Sequence, residues 1–485
     1  MFEIEGEYTT ATVMGEPELF DQTFVEQVQR LVDHEAFRNP VRIMPDGHPG
    51  SGAVIGFTME LGERVVPNTV GVDIGCGVSS ANLGVNELSL PDEDADERIR
   101  EAVPFGRRTH DFESAMHVGN DFPWDVVTNR FRRFNDSYSE RFDREIDLAD
   151  YTPGGEYDVE YFKGLCERVG YDVNRAISSA GTLGGGNHFV EIARSERDGD
   201  LWLVLHSGSR GLGLTVANYW QDRAVELRRA ERARTTIADL VTEGYGPYLK
   251  FDPNETSDED LLLWLQGGKG ESFMRKEAIR ADFEDEGIDA AFTRLKEAIP
   301  TNEAAADDDL AYLDGPEAEG YFVDMLFCQQ YAATNRKRMV ELACKALGLP
   351  EAPTEVIDSP HNVIDFEDGV IRKGATRVHE DEVAVIPFTM ADGSILIEGT
   401  GNEAWNRSAP HGAGRLMSRT QAFDELSMDD YEGRMEGVYS TSVTEDTLDE
   451  SPEAYKSPAA VEAAMAETAR VVDRLVPEHS LKAED

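Results

Sequence analysis

Apolar and polar positions along this chain fall into two textures, short apolar runs and helical-period stretches, and their order predicts the architecture. Within residues 50–80, Gly52-Ala53-Val54-Ile55-Gly56-Phe57 and Val65-Val66-Pro67 read as short strands between glycine turns. Tyr161, Leu165 and Val169 recur at helical spacing and predict a helix over 155–178. Leu201-Trp202-Leu203-Val204-Leu205 is an unbroken apolar run, a buried strand that delivers His206 at its end. A long amphipathic helix is predicted over 213–242, and a second over about 318–347, carrying Tyr331, Asn335 and Arg336. Val383-Ala384-Val385-Ile386 and Ile395-Leu396-Ile397 predict strands flanking a turn, and 458–475 predicts a C-terminal helix. Strands and helices mix without βαβ regularity, so the expected class is α+β, one large domain over 1–485 with mixed sheets. Residues 244–310 change character. Acidic runs at Ser257-Asp258-Glu259-Asp260 and Ala304-Ala305-Ala306-Asp307-Asp308-Asp309 mark them as a surface insertion with its own helices.

Composition changes the picture in one respect. Lys and Arg number 46 against 95 Asp and Glu, a net charge of −49, and only ten of the 46 are Lys. Such an excess of carboxylate with so little Lys suggests a salt-loaded cytoplasm, where carboxylates hold water and salt screens their repulsion. An acidic disordered chain is excluded by 40% hydrophobic residues, including 22 Phe and 15 Tyr, enough to pack a core. No N-terminal signal stretch and no 18-residue apolar run is present, so a cytoplasmic chain without membrane contact is expected. Cys76, Cys166, Cys328 and Cys344 form no CxxC pair, which argues against a disulfide framework or zinc ribbon. Cys166 and Cys344 fall in helical segments and read as buried structural thiols.

The chemistry concentrates in glycine-rich turns. Ser408-Ala409-Pro410-His411-Gly412-Ala413-Gly414-Arg415 sets one imidazole among small residues that let backbone N–H groups approach a ligand, with a guanidinium four positions on. Val72-Asp73-Ile74-Gly75-Cys76-Gly77 offers a carboxylate and a thiol three residues apart. His188, His206 and His361 lie beside Gly, Asn or Ser in short turns. Each alone reads as a satisfied loop histidine. Together, Asp73, Cys76, His188, His206 and His361 are a complete ligand set for one or two divalent ions. Ligands from such distant loops must converge on one cleft, and Cys with His would favour zinc.

Six segments in order carry a family resemblance: Met44-Pro45-Asp46-Gly47-His48, Val70 to Gly77, Gly181 to Phe189, His206 to Gly211, Arg372-Lys373-Gly374-Ala375-Thr376 and His411 to Arg415. From about residue 40 to the C-terminus the chain resembles the RtcB family of RNA ligases. The resemblance implies two Mn²⁺ ions bridged by Cys76, one also held by Asp73 and His188, the other by His206 and His361. It implies GTP as co-substrate, with His411 attacking the α-phosphorus to form a His–GMP adduct. Asp46, otherwise a turn-forming residue before Gly47, would orient that imidazole. Arg210, beside a ligand His, would touch phosphate, as would Asn187, Asn362 and the Gly412-Ala413-Gly414 backbone. Glu191 resembles the carboxylate that reads the guanine edge, Tyr455 the aromatic that stacks on the base, and Lys482 the terminal Lys that contacts the nucleotide. Here Lys482 is followed by Ala483-Glu484-Asp485, where the family usually ends. The family's Pro-Gly-Ser-Met-Gly turn reads Pro387-Phe388-Thr389-Met390-Ala391. Thr389 keeps the hydroxyl, both glycines are gone, and Ser394 still matches a hydroxyl near the guanine.

The implied activity joins an RNA 3′-phosphate, or a 2′,3′-cyclic phosphate once opened by water, to a 5′-hydroxyl RNA, in tRNA splicing or RNA repair. An archease-like activator is a possible partner. Rival readings are a 3′-end guanylylase or phosphate-processing metallohydrolase that does not seal, and a non-catalytic RNA-end-binding factor. So acidic a chain needs local positive charge to hold RNA. Candidates are Arg107, Arg108, Arg130, Arg132, Arg133, Arg210, Arg336, Lys337 and Arg338, whereas Arg228, Arg229, Arg232 and Arg234 read as a solvated helix face. The charge generates a test. Screening lengths fall from about 30 Å at 0.01 M salt to about 3 Å at 1 M, so the thermal midpoint should rise with KCl. A midpoint that falls over this range would contradict the salt-adapted reading.

Overall fold

The computed structural model describes residues 1–299, 308–349, 353 and 355–483. Residues 304–307 of the second acidic run, and Glu484 and Asp485, lie outside these. Two compact units emerge, one of Met1–Tyr219 with Asp314–Asp485, the other of Trp220–Leu313.

The first unit is α+β with mixed sheets. Its seven-stranded sheet runs, in spatial order, Val383–Pro387, Ser394–Gly399, Ala469–Lys482, Phe189–Ser195, Leu201–Ser207, Gly77–Asn82 and Val356–Pro360. A six-stranded sheet orders Phe2–Glu5, Thr10–Val13, Val41–His48, Ile55–Glu60, Val370–Lys373 and Asn362–Asp365. Its Thr10–Val13 and Val41–His48 strands pair in parallel; the other pairs are antiparallel. Ala375–Arg377 and Ser408–Pro410 form a separate ribbon that leads directly into His411.

The Leu201–Ser207 strand is buried throughout because both faces are covered. Side chains alternate along a strand, so Leu201, Leu203 and Leu205 join a cluster with Ile99, Met339 and Val340, while Trp202 and Val204 join Val385, Leu396 and Leu475. The long Gly315–Ala346 helix places Asn335 and Arg336 against the glycine-rich loops. Asn335 Oδ1 accepts from the Gly181 and Thr182 amides at 2.7 and 3.1 Å, and its Nδ2 donates to Ser207 Oγ and the Gly208 carbonyl at 3.0 and 3.1 Å. Arg336, expected among the RNA-facing residues, is instead 1% exposed. It pairs with Asp358 through bonds of 2.6 and 2.7 Å and donates to the carbonyls of Gly75 and Ser207 at 2.6 and 3.1 Å. A guanidinium's five donors suit it to this brace, since burying it needs several acceptors.

Two predicted helices change. The predicted 155–178 helix is two, Val159–Val169 and Val173–Ser179, N-capped by Asp158 and Asp172. Gly170 separates them in the left-handed conformation at φ 72°. The predicted 458–475 helix stops at Ala464, and Ala469–Lys482 is a 14-residue strand. Burial at Asp473, Leu475 and Pro477 has period two, and Pro477 could not continue a helix. The expected 213–242 and 318–347 helices run Arg210–Thr242 and Gly315–Ala346.

The second unit packs Ile237, Leu240, Leu261, Phe273, Ile279 and Leu295 around the helices Asp258–Leu265, Lys276–Asp282 and Glu286–Lys296. The four arginines read as a solvated face pair with acids of this unit: Arg228 with Glu231 at 2.7 Å, Arg229 and Arg232 with Asp308 at 2.7 and 3.4 Å, and Arg234 with Asp258. Among the described residues, no helix is long and apolar enough to cross a membrane.

Candidate active site

The ends of four strands bring the sequence-predicted ligands together. Cys76 immediately precedes the Gly77–Asn82 strand, His188 precedes Phe189–Ser195, His206 closes Leu201–Ser207, and His361 lies between Val356–Pro360 and Asn362–Asp365. The antiparallel registers set Gly77 opposite both Ser207 and Pro360, and Phe189 opposite His206, which aligns these ends. The result is a chain of close donors. Asp73 Oδ2 lies 2.9 Å from His188 Nε2, and Cys76 Sγ lies 3.5 Å from His188 Nε2 and 3.1 Å from His206 Nε2. His206 Nε2 is in turn 3.2 Å from His361 Nε2. Cys76, His188 and His206 are buried and near enough together to hold a metal ion. Close approach of Gly208 makes room for the carboxylate, since a Cβ there would fall 2.3 Å from Asp73 Oδ1.

The donor set fits cations on its hydrogen-bonding pattern. His188 Nδ1 lies 2.9 Å from the Leu183 carbonyl and His206 Nδ1 3.2 Å from the Asn187 carbonyl, so a neutral ring can keep its proton there. The Nε2 atoms then point into the cluster as lone pairs, that of His188 2.9 Å from Asp73 Oδ2 and that of His206 3.2 Å from His361 Nε2. A neutral His188 sets acceptor against acceptor at Asp73, which a bound cation or a second proton on His188 relieves, while His361, whose Nδ1 has no partner, can donate from Nε2 to His206. Burial keeps His206 and His361 well below the ordinary histidine range, hence neutral and ligand-ready. Burial and the Asp73 charge push the Cys76 thiol up, so without a cation it stays protonated. Burial would raise the Asp73 carboxyl too, but with no metal bound a protonated His188, through its hydrogen bond and charge, and the Arg210 charge hold it below the usual carboxylate range.

His411 sits beside this group, its ring centroid 4.8 Å from that of His361. Asp46 is fully buried, and its Oδ2 accepts from His411 Nδ1 at 2.7 Å and from the amides of His411 and Gly412 at 3.0 and 3.2 Å. That bond fixes the tautomer and leaves Nε2 as the basic nitrogen. Gly414, at φ 72°, allows this approach, since a Cβ there would fall 2.3 Å from the Asp46 carbonyl oxygen.

His206, His361 and His411 open on a cavity of about 340 Å³, which Asn187, Glu191, Thr389, Gly412, Ala413, Gly414, Tyr455 and Lys482 also line. Glu191 is buried with Oε1 lacking a partner, and burial pushes its carboxyl up to about 8 against the opposing Lys482 charge. Lys482 is held in place because its strand pairs with Phe189–Ser195. Of the other expected contacts, Arg210, Asn362 and Ser394 do not line the cavity, whereas Thr389 does. Arg210 bonds Thr182 Oγ1 at 3.3 Å and backs His188. Asn362 accepts from the Gly374 amide at 3.0 Å and reaches the Asp73 carbonyl at 3.4 Å, bracing the ligand turns. Ser394 is buried with its hydroxyl unpartnered, and the Thr389 hydroxyl donates to Asp392 at 2.6 Å, closing its own turn.

Sequence reasoning missed four cavity residues. Glu450 and Arg419 belong to no motif, and Arg415 stands out in the sequence only as a guanidinium near His411 whose shape matches phosphate oxygens. His48 was quoted without a role; it lines the cavity, and burial lowers it to about 4.

A buried thiol–imidazole group able to hold a metal ion, opening on a cavity beside an oriented histidine, is the feature that characterises this α+β protein. A family model described as tRNA-splicing ligase RtcB matches residues 27–245 and 287–483, and the chain belongs to the RtcB family of ligases. It is 27% identical over 454 residues to the RNA-splicing ligase RtcB of Escherichia coli (strain K12), covering 89% of this chain and 87% of that protein. It is 25% identical over 477 residues to the tRNA-splicing ligase RtcB of Aeropyrum pernix, covering 85% and 81%. The tRNA-splicing ligase RtcB of Archaeoglobus fulgidus is 25% identical over 492 residues, covering 90% and 86%.

The site generates a metal test. Cys76→Ser replaces a soft anionic ligand by a weak neutral one, and His206→Ala removes an imidazole from the middle of the chain of donors. Elemental analysis after equilibration with Mn²⁺ should show both variants depleted, Cys76→Ser of more than one ion. Metal content equal to wild type in both would remove the site.

Proposed function

We propose that this chain is a GTP-dependent RNA ligase that joins 3′-phosphate or 2′,3′-cyclic phosphate ends to 5′-hydroxyl ends through a His411–GMP adduct. The observation that carries the reading is the 2.7 Å bond from His411 Nδ1 to Asp46, which leaves Nε2 as the nucleophilic nitrogen beside the cavity. Family membership supports RNA as the substrate class. Asp73, Cys76, His188, His206 and His361 would hold two Mn²⁺ ions. Bound there, they would supply charge neutralisation to the phosphates.

His411 Nε2 attacks the α-phosphorus of GTP, the bond to pyrophosphate breaks, and the imidazole becomes a cationic phosphoramidate. Asp46, already bonded to Nδ1–H, offsets that charge without taking the proton. The RNA 3′-phosphate then displaces His411 and receives GMP. Attack by the 5′-hydroxyl expels GMP and forms the phosphodiester, and a cyclic end is opened by water beforehand. Tyr455 stacks on the base while Glu191 and Lys482 meet its edge, and Asn187 and the Gly412–Gly414 backbone face the phosphates. The RNA is a pair of tRNA halves or a broken strand, and an archease-like activator fits the family reading. Residues 244–310 serve as an acidic surface insertion, and residues 246–286 within them lie outside the family match.

The test is label transfer. With Mn²⁺ and α-³²P-GTP the chain should take up label that is acid-labile and alkali-stable, as a phosphoramidate is. His411→Ala should take up none, and Asp46→Asn should label about 10²-fold more slowly or worse. Label retained in folded His411→Ala would reject the nucleophile.

A further inference from the structure

The base end of the cavity holds a buried carboxylate that the scheme above leaves without a task. Glu450 is 5% exposed, yet four donors converge on it. Its Oε2 accepts from the Tyr455 hydroxyl at 2.7 Å and pairs with Lys482 Nζ. Its Oε1 makes no hydrogen bond but faces two charges, Arg415 Nη1 at 3.5 Å and Arg419 Nη2 at 3.4 Å. Burial alone would raise this carboxyl, but the Lys482 charge and hydrogen bond, with the Tyr455 hydroxyl, bring it down to about 2. Paired with an ammonium and facing two guanidinium groups, Glu450 is held as a carboxylate.

These donors are the cavity's own lining. Arg415 stands four residues from His411, donates to the Tyr455 hydroxyl at 3.1 Å, and sets its guanidinium 4.9 Å from the centroid of that ring. One carboxylate thus ties the nucleophile's loop to the ring and the ammonium at the opposite end. Nearby lies Glu191, 3% exposed, with Oε1 unpartnered. Its strand pairs with that of Lys482, Ser480 standing opposite Glu191, so the ammonium acts on it through space. An ammonium left alone in so dry a pocket would turn to the nearest unpartnered carboxylate, because an unpaired buried charge is costly. Glu450 removes that option.

We infer that Glu450 is a positioning residue for nucleotide selection: by holding Lys482 and Tyr455 it keeps Glu191 open to the N–H donors of a guanine edge. The inference rests on the guanylyl-transfer reading above. Without Glu450, Lys482 closes onto Glu191, the edge-reading carboxylate is occupied, and the ring loses the hydroxyl anchor that sets its plane. His411 keeps its orientation, because Asp46 makes no bond to Glu450 and Arg415 keeps its own bond to the Asp449 carbonyl at 2.6 Å.

The experiment is steady-state labelling of the full chain with Mn²⁺ and α-labelled GTP or ATP, comparing wild type with Glu450→Gln and Glu450→Asp. In Glu450→Gln the KM for GTP should rise about tenfold or more with kcat reduced less than about threefold, and the preference for GTP over ATP should fall about tenfold. Glu450→Asp, which keeps the charge, should recover part of that preference. A folded Glu450→Gln whose GTP KM and GTP/ATP preference stay within about twofold of wild type overturns the inference. So does an equal loss for both nucleotides, the signature of a merely structural role. If Glu450→Gln does not fold, Tyr455→Phe removes one bond to Glu450 while keeping the ring. It should raise the GTP KM about threefold, and an unchanged KM overturns the inference. Wild-type chain that takes no label from GTP would instead overturn the functional reading on which this one stands.

Discussion

Everything in the site depends on buried ligand atoms being drawn close enough together to share a cation. A carboxylate, a thiol and three imidazoles are drawn together so that Nε2 of His188 faces Asp73 at 2.9 Å and Nε2 of His206 faces that of His361 at 3.2 Å. With their Nδ1 protons held by the carbonyls of Leu183 and Asn187, neutral His188 and His206 offer their Nε2 lone pairs to the row. Buried donors so arranged are unfavourable alone and favourable around divalent ions. The Cys76 sulfur lies in the middle of the row, which is where a bridging ligand would be needed.

Rigid neighbours keep that row from relaxing. Asn335 and Arg336, adjacent on one helix, bind five backbone groups of the loops at Gly75, Gly181, Thr182, Ser207 and Gly208. The loops can then be glycine-rich and closely approached without being loose, which matters because metal sites need their ligands held by a second layer of bonds. The same logic places His411. A fully buried Asp46 takes three hydrogen bonds from the His411–Gly412 segment on a single oxygen. Tautomer, ring orientation and loop position follow from one side chain.

Much of this was legible in the sequence, for a physical reason. Glycine-rich turns flanking each ligand and the nucleophile are local features, and local features survive in one dimension. The long helices were legible by their period. What was lost required partners from elsewhere. Arg336 reads as one more basic residue beside Lys337 and Arg338, and only the fold shows it filled with acceptors. Asp358 sits 22 residues from it in the chain. The stretch after Ala464 is apolar at both helical and strand spacing, and two neighbouring strands that pair with it decide the matter. Glu450 is invisible among 95 acidic residues until four cationic or hydroxyl donors surround it.

The central claim is that the row from Asp73 to His361 is a two-ion site bridged by Cys76. Anomalous diffraction at the manganese edge, from crystals of the Mn²⁺-loaded chain, tests it most directly. The account predicts two anomalous peaks, both within bonding distance of Cys76 Sγ, one also contacting Asp73 and His188 and the other His206 and His361. A single peak that does not touch Cys76, or peaks elsewhere in the molecule with none here, would contradict it.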